Sequence, residues 1–242
     1  FSQMALNILH IPVNFGCEIG HLWYIYMLIG LYLVTPIISP WLQQASKREL
    51  EGYLGLWIIT TFLPYIHLVY PEVLGEAFWN DTPLLYYFTG FIGYFILGYY
   101  LKRFGYPSAA LSWIILIVGF ALSAGIFCSR IDTVPTVPEL ELSWGFCTVN
   151  VFLMTLGLFS LIGRLSLKGK NAACKLLSDI SIKSYGMYLA HILFLNFYYG
   201  LFKSISDAAY VTIPLIAVCT FITVYIFVYL LSYLPKSKYI IG

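Results

Sequence analysis

Charge is the scarcest thing in this chain. Only 10% of its 242 residues are Asp, Glu, Lys or Arg, against 60% hydrophobic residues and a mean hydropathy of +0.84. An ordinary soluble domain carries about 25% charged residues, so a soluble domain is excluded. The formal net charge of +2 is no footprint for nucleic acid either. Cysteine is also sparse: five residues make no disulfide framework, although a Cys128–Cys147 bridge stays open. The chain has no Gly-rich phosphate loop, no Gly-x-Ser-x-Gly elbow and no His-Glu-x-x-His. It also lacks Cys-x₂-Cys and His-x₃-His spacing, so no metal site is expected. No internal repeat or low-complexity tract stands out.

What the chain does have is seven long apolar stretches, at about 22–42, 52–70, 84–101, 108–128, 144–165, 180–202 and 210–234. Each has roughly the 17–25 residues that cross a hydrocarbon core of about 30 Å. The predicted fold is therefore all-α: a polytopic membrane helix bundle in one transmembrane domain over 1–242. Eleven of the thirteen Lys and Arg residues fall in alternate gaps or at the span ends that border them: Lys47, Arg48, Lys102, Arg103, Arg164, Lys168, Lys170, Lys175, Lys183, Lys236 and Lys238. The other gaps hold only Arg130 and Lys203 among Glu72, Glu76, Asp81, Asp132, Glu139 and Glu141. The positive-inside rule makes the first set cytoplasmic, which puts residues 1–20 outside and the C-terminus inside. Aromatics are abundant at 19%, and Trp23, Trp41, Trp79, Trp144 and Tyr233 sit at span ends, where interfacial anchoring explains them.

Ionisable groups inside a bilayer are rare and mark function by default. His191 lies about eleven residues into the sixth span, near mid-membrane. At 100° per residue, Ser184, Tyr188, His191 and Tyr198 share an arc of roughly 80°. The plainer alternative is a neutral His bonding a neighbouring helix as packing glue. In the first span, His21, Tyr24, Tyr32 and Thr35 share one side while Trp23 faces elsewhere. Glu18, one turn before His21, is placed to orient the imidazole or raise its pKa; a simple water-facing His is the alternative. Gly90, Gly93 and Gly98 in the third span read as helix-packing positions. The basic loop with Arg164, Lys168 and Lys170 suits the phosphates of a nucleotide-like cofactor, but positive-inside bias alone also accounts for it.

The run from Gly20 to Pro36, GHLWYIYMLIGLYLVTP, resembles the signature of the acyltransferase 3 family. The segments Tyr94 to Leu101, YFILGYYL, and Ser184 to His191, SYGMYLAH, are similar to two further stretches of that family and follow in its order. The resemblance implies a multi-pass, mostly bacterial enzyme that O-acylates cell-surface sugars from the inner membrane. It implies acyl-CoA, usually acetyl-CoA, as donor substrate on the cytoplasmic side, with no tightly bound cofactor, and a sugar or glycan hydroxyl as acceptor. His21, Tyr24, Tyr188 and His191 are then the catalytic candidates. Glu18, Trp23 and Ser184 are candidates for substrate binding, and Arg164, Lys168 and Lys170 for the donor.

The family's core has about ten helices, so seven spans from an outside start correspond to helices four to ten. The chain begins at Phe1 with no leader pattern, and the expectation is a C-terminal part of a longer protein. The Arg and His of the family's first helix, the latter its principal base, have no counterpart here. Two other readings are weaker. A G-protein-coupled receptor would show Asp-Arg-Tyr where the chain has Leu101-Lys102-Arg103. A transporter or flippase of the polysaccharide pathway would show paired intramembrane charges or matching broken helices.

Overall fold

The structure is a computed structural model that describes residues 23–74, 84–165, 172–203 and 208–237. The regular elements among these residues are α-helices and 3₁₀ helices, and no strand occurs among them. The helices are α1 (Trp23–Gln44), α2 (Lys47–Thr60), α3 (Leu63–Ile66), α4 (Ile92–Phe104), α5 (Ala109–Arg130), α6 (Val137–Leu140), α7 (Val149–Gly163), α8 (Ala172–Lys203) and α9 (Ala209–Leu231). They fall into two compact units. One runs from Tyr26 to Ser166; the other joins the start of α1, up to Ile25, to α8 and α9.

Three of the described helices, α1, α5 and α9, are long and apolar enough to cross a membrane, and a fourth if α6–Trp144 and α7, bent by 41°, count as one span. The protein is thus a multi-pass membrane protein, but length and hydropathy do not by themselves reach the predicted seven spans. The predicted second span, 52–70, is two pieces: α2 ends at Thr60 and α3 starts at Leu63 with Pro64 in its first turn. Proline there is tolerated because it has no intrahelical N–H bond to lose, yet it cannot continue a helix from before. The predicted third span, 84–101, begins as a 3₁₀ turn, Tyr86–Phe88, and becomes helical only at Ile92. Gly90, at φ +84°, makes that break. The resulting 13-residue α4 is only about 20 Å long. By contrast α8, at 32 residues, is about 48 Å long. It is ample for a span, but its tyrosines, His191 and Asn196 dilute its hydropathy.

The larger unit has its core around Trp57, which is fully buried with Leu50, Leu54, Ile96, Leu97, Leu101 and Phe152. The Trp57 ring lies edge-on to Tyr94 (4.8 Å between centroids) and Phe152 (5.3 Å), and its indole N–H donates to the Gly90 carbonyl at 3.0 Å. It occupies the space over Gly93, where a Cβ would come within 2.1 Å of the ring. Only glycine fits there. Ser46 starts α2 with a capping box: its hydroxyl accepts from the Glu49 N–H, and Glu49 accepts from the Ser46 N–H at 2.7 Å. Arg103, in the last turn of α4, donates to the Leu42 and Ala45 carbonyls at 3.0 and 3.1 Å, closing the C-terminal end of α1.

Helices α5 and α7 approach closely through glycine. A Cβ on Gly157 would lie 2.7 Å from the Ser112 carbonyl oxygen, and one on Gly119 would lie 2.7 Å from the Met154 nitrogen. Asn150, fully buried on α7, is the polar fastener of this pair. Its amide donates to Ser123 Oγ (2.7 Å) and the Ser143 carbonyl (2.9 Å), and its oxygen accepts from the Tyr65 hydroxyl (2.7 Å). Small residues with an interhelical amide bond are the usual means of holding helices where lipid supplies no hydrophobic drive.

Candidate functional site

The smaller unit holds the polar, aromatic stripe of α8 against α9 and the first residues of α1. Tyr24 and Tyr188 meet edge to face at 5.2 Å between ring centroids, and Trp23 lies edge-on to Tyr24 at 6.0 Å. Tyr188 and His191 follow one another on the same side of α8, their rings 5.6 Å apart. His191 Nδ1 is 2.5 Å from the Tyr188 carbonyl oxygen, one turn back. A carbonyl can only accept, so the bond assigns the proton to Nδ1; in the neutral ring Nε2 then carries the lone pair. In that tautomer a proton would be taken up at Nε2.

A cleft of about 420 Å³ opens beside this group. Ser184, Tyr188, His191 and Leu195 line it from α8, and Ala217, Thr220, Phe221 and Val224 from α9. Most of its wall is hydrocarbon, with a few polar groups gathered on the α8 side, the usual make-up of a small-molecule site. The Ser184 hydroxyl donates to the Ser181 carbonyl at 2.8 Å, so it is committed to its own helix. Thr220 differs: it is 6% exposed, and its hydroxyl has no hydrogen-bond partner among the described residues. A buried hydroxyl left unpaired costs about 1–3 kcal/mol. Nothing in the sequence pointed to it, because a Thr within an apolar run reads as filler.

A charged cluster sits nearer the start of α8. Lys183, 8% exposed, forms an ion pair with Asp179, and Asp179 accepts from the Tyr225 hydroxyl of α9 at 2.7 Å. The Lys183 ammonium also lies 5.2 Å from the centre of the Tyr229 ring. The Lys183 bond and then the Tyr225 bond hold the Asp179 carboxyl below the ordinary carboxylate range. In the sequence Lys183 stands as a topology charge. The readable signal was Asp four residues before Lys on one helix.

The other predicted residues are distributed as follows. Tyr198, assigned to the same stripe, hydrogen-bonds Thr223 Oγ1 at 2.7 Å and does not line the cleft. Tyr32 is exposed, and Thr35 donates to the Leu31 carbonyl at 2.6 Å. Arg164 donates to the carbonyls of Tyr106 (2.8 Å) and Pro107, tying the end of α7 to the turn before α5. Cys128 and Cys147 carry free thiols. His21, Glu18, Lys168 and Lys170 lie outside the described residues, as do Cys17 and the sequon Asn80-Asp81-Thr82.

A family model described as an acyltransferase domain matches residues 10–233, nearly the whole chain. No curated protein and no solved structure matches it.

Proposed function

The chain belongs to the acyltransferase 3 family, and from that premise we propose that it moves an acyl group, acetyl in the usual case, from acyl-CoA at the cytoplasmic face to a hydroxyl of a cell-surface or exopolysaccharide sugar. Seven spans with residues 1–20 outside, in a bacterial inner membrane, are the setting proposed. The split of eleven basic residues to two favours that orientation.

The observation that carries the reading is the His191–Tyr188 arrangement beside an apolar cleft. Acyl transfer to a hydroxyl needs a base for its proton, donors for the tetrahedral oxyanion and exclusion of water. Nε2 of His191 takes the proton as the hydroxyl oxygen attacks the thioester carbonyl carbon. The oxyanion collapses, the carbon–sulfur bond breaks, and the CoA thiolate leaves and is protonated. The hydroxyls of Tyr188 and Tyr24, whose rings touch, are the proposed donors to the oxyanion. His21 and Glu18, candidates from the sequence alone, are proposed to meet the incoming acceptor, with Trp23 and the acceptor lone pairs of the Ser184 hydroxyl contributing to substrate binding. Arg164, Lys168 and Lys170 supply positive charge for the CoA phosphates; Arg164 spends one terminal nitrogen on backbone carbonyls and keeps other N–H donors.

The test is to give radiolabelled acetyl-CoA to inside-out membrane vesicles carrying the protein, together with glycan from the host's own envelope. Label should enter the glycan as an alkali-labile ester. Absence of ester label above protein-free vesicles would reject acyl transfer. Labelling only when the acetyl-CoA is supplied from the outer face would reject the proposed route.

A further inference from the structure

Resting on the acyl-transfer reading, we infer that the cleft between α8 and α9 is a groove for the hydrocarbon tail of the acyl donor, sized for a chain of medium length and not for acetyl alone. The first argument is volume. An apolar cavity of about 150 Å³ is enough to hold benzene, and the cleft, at about 420 Å³, is nearly three times that. The two carbons of an acetyl group would leave most of it to be filled by something else. The second is the distribution of chemistry along its wall. The lining covers about four turns of α8, from Ile180 to Leu195. Ile180, Met187, Leu195, Ala217, Phe221 and Val224 are apolar, and the polar groups, Ser184, Tyr188, His191 and Thr220, are few. A thioester carbonyl carrying a saturated tail has the same composition: one polar centre and a length of hydrocarbon.

Thr220 adds a polar side chain to the α9 side of the groove. Its hydroxyl is buried in the wall with no partner among the described residues. A turn about χ1 exchanges it with the methyl group, and an acyl carbonyl oxygen in the groove then accepts its bond. On α5, Ile114, Ile117 and Phe120 are exposed and apolar, as Phe221 of the groove also is, and they serve as the reference surface for lipid contact. Two wall positions set the width. Ala217 is the smallest lining residue, and Phe221 is its largest wholly apolar one.

The experiment uses octanoyl-CoA with a diazirine near the end of its tail, photolysed with membranes carrying the protein, and mass spectrometry of the adducts. The expected adducts fall on 180–195 and 217–224 and are displaced by unlabelled octanoyl-CoA. Adducts there that resist acyl-CoA and yield only to added phospholipid would make the occupant a bilayer lipid and overturn the inference. So would adducts spread equally over Ile114, Ile117 and Phe120, which mean partition into the membrane. The turnover ratio of octanoyl-CoA to acetyl-CoA is measured in parallel. Ala217→Phe should lower it about tenfold and Phe221→Ala should raise it, the scale on which hydrophobic pockets discriminate by size. A ratio unmoved by the folded variants, with acetyl still transferred, rejects the groove and leaves the acyl-transfer reading intact. Consumption of neither thioester rejects that reading, and the groove with it.

Discussion

Asp179 shows how one carboxylate joins two helices. It takes the Lys183 ammonium on its own helix and the Tyr225 hydroxyl of α9, so that a buried cation, an anion and a phenol satisfy one another. Leaving Lys183 without its partner would strand a charge that is almost out of water. Because the folded carboxyl titrates below its ordinary value, its contribution is fully present above the unfolded pKa and is lost as pH falls through the folded one. The stability difference between wild type and Asp179→Asn in detergent should therefore hold constant from neutral pH down to about pH 4 and shrink below that. Thermal unfolding across pH measures it. A difference that is the same at pH 3 and pH 7, or no difference at pH 7, would remove the clamp from the account. Other residues show where reading the sequence stops. Gly90, Gly93 and Gly98 look alike in it, but Gly93 lies under the Trp57 ring, Gly90 supplies a positive φ, and Gly98 meets nothing closer than Phe159 at 3.9 Å. The difference comes from a Trp more than thirty positions away, which no local pattern contains.

Among the elements, α1, α5 and α9 were legible because an unbroken apolar run long enough to span has few other folded uses. The predicted second and third spans were drawn too simply, since averaged hydropathy does not register one proline or one left-handed glycine. Pro64 and Gly90 were present in the sequence as break signals and were outweighed by their apolar neighbours. The pairing of α5 with α7 could not be read, because it depends on which small residues face each other. It can now be tested at Gly157, where a side chain would strike the Ser112 carbonyl and the Leu116 backbone, neither of which can swing away. Gly157→Leu should destabilise the detergent-solubilised protein by about 1–3 kcal/mol, the cost of overpacking. Gly200→Leu, at a site with nothing within 4 Å, should stay within about 0.5 kcal/mol. Equal melting of both variants and wild type would mean that α5 and α7 do not pack through Gly157.

Across the whole molecule, the family was legible in three ordered segments, and the match over 10–233 agrees with that reading. The candidate site was half legible. The stripe Ser184, Tyr188 and His191 followed from helical periodicity and lines one cleft. Its partners from α9, Thr220 and Phe221, belong to a featureless apolar run and needed the fold. Acyl transfer by this protein is proposed to run through His191, which then does more than brace the helices. The direct measurement is turnover of folded His191→Ala against wild type, in membranes at matched protein level, with labelled acetyl-CoA. Loss of an acid–base partner should lower turnover by about two orders of magnitude or more while thermal stability stays close to wild type. Unchanged turnover in folded His191→Ala, with stability reduced by about 1 kcal/mol, would make the residue interhelical glue and contradict the account.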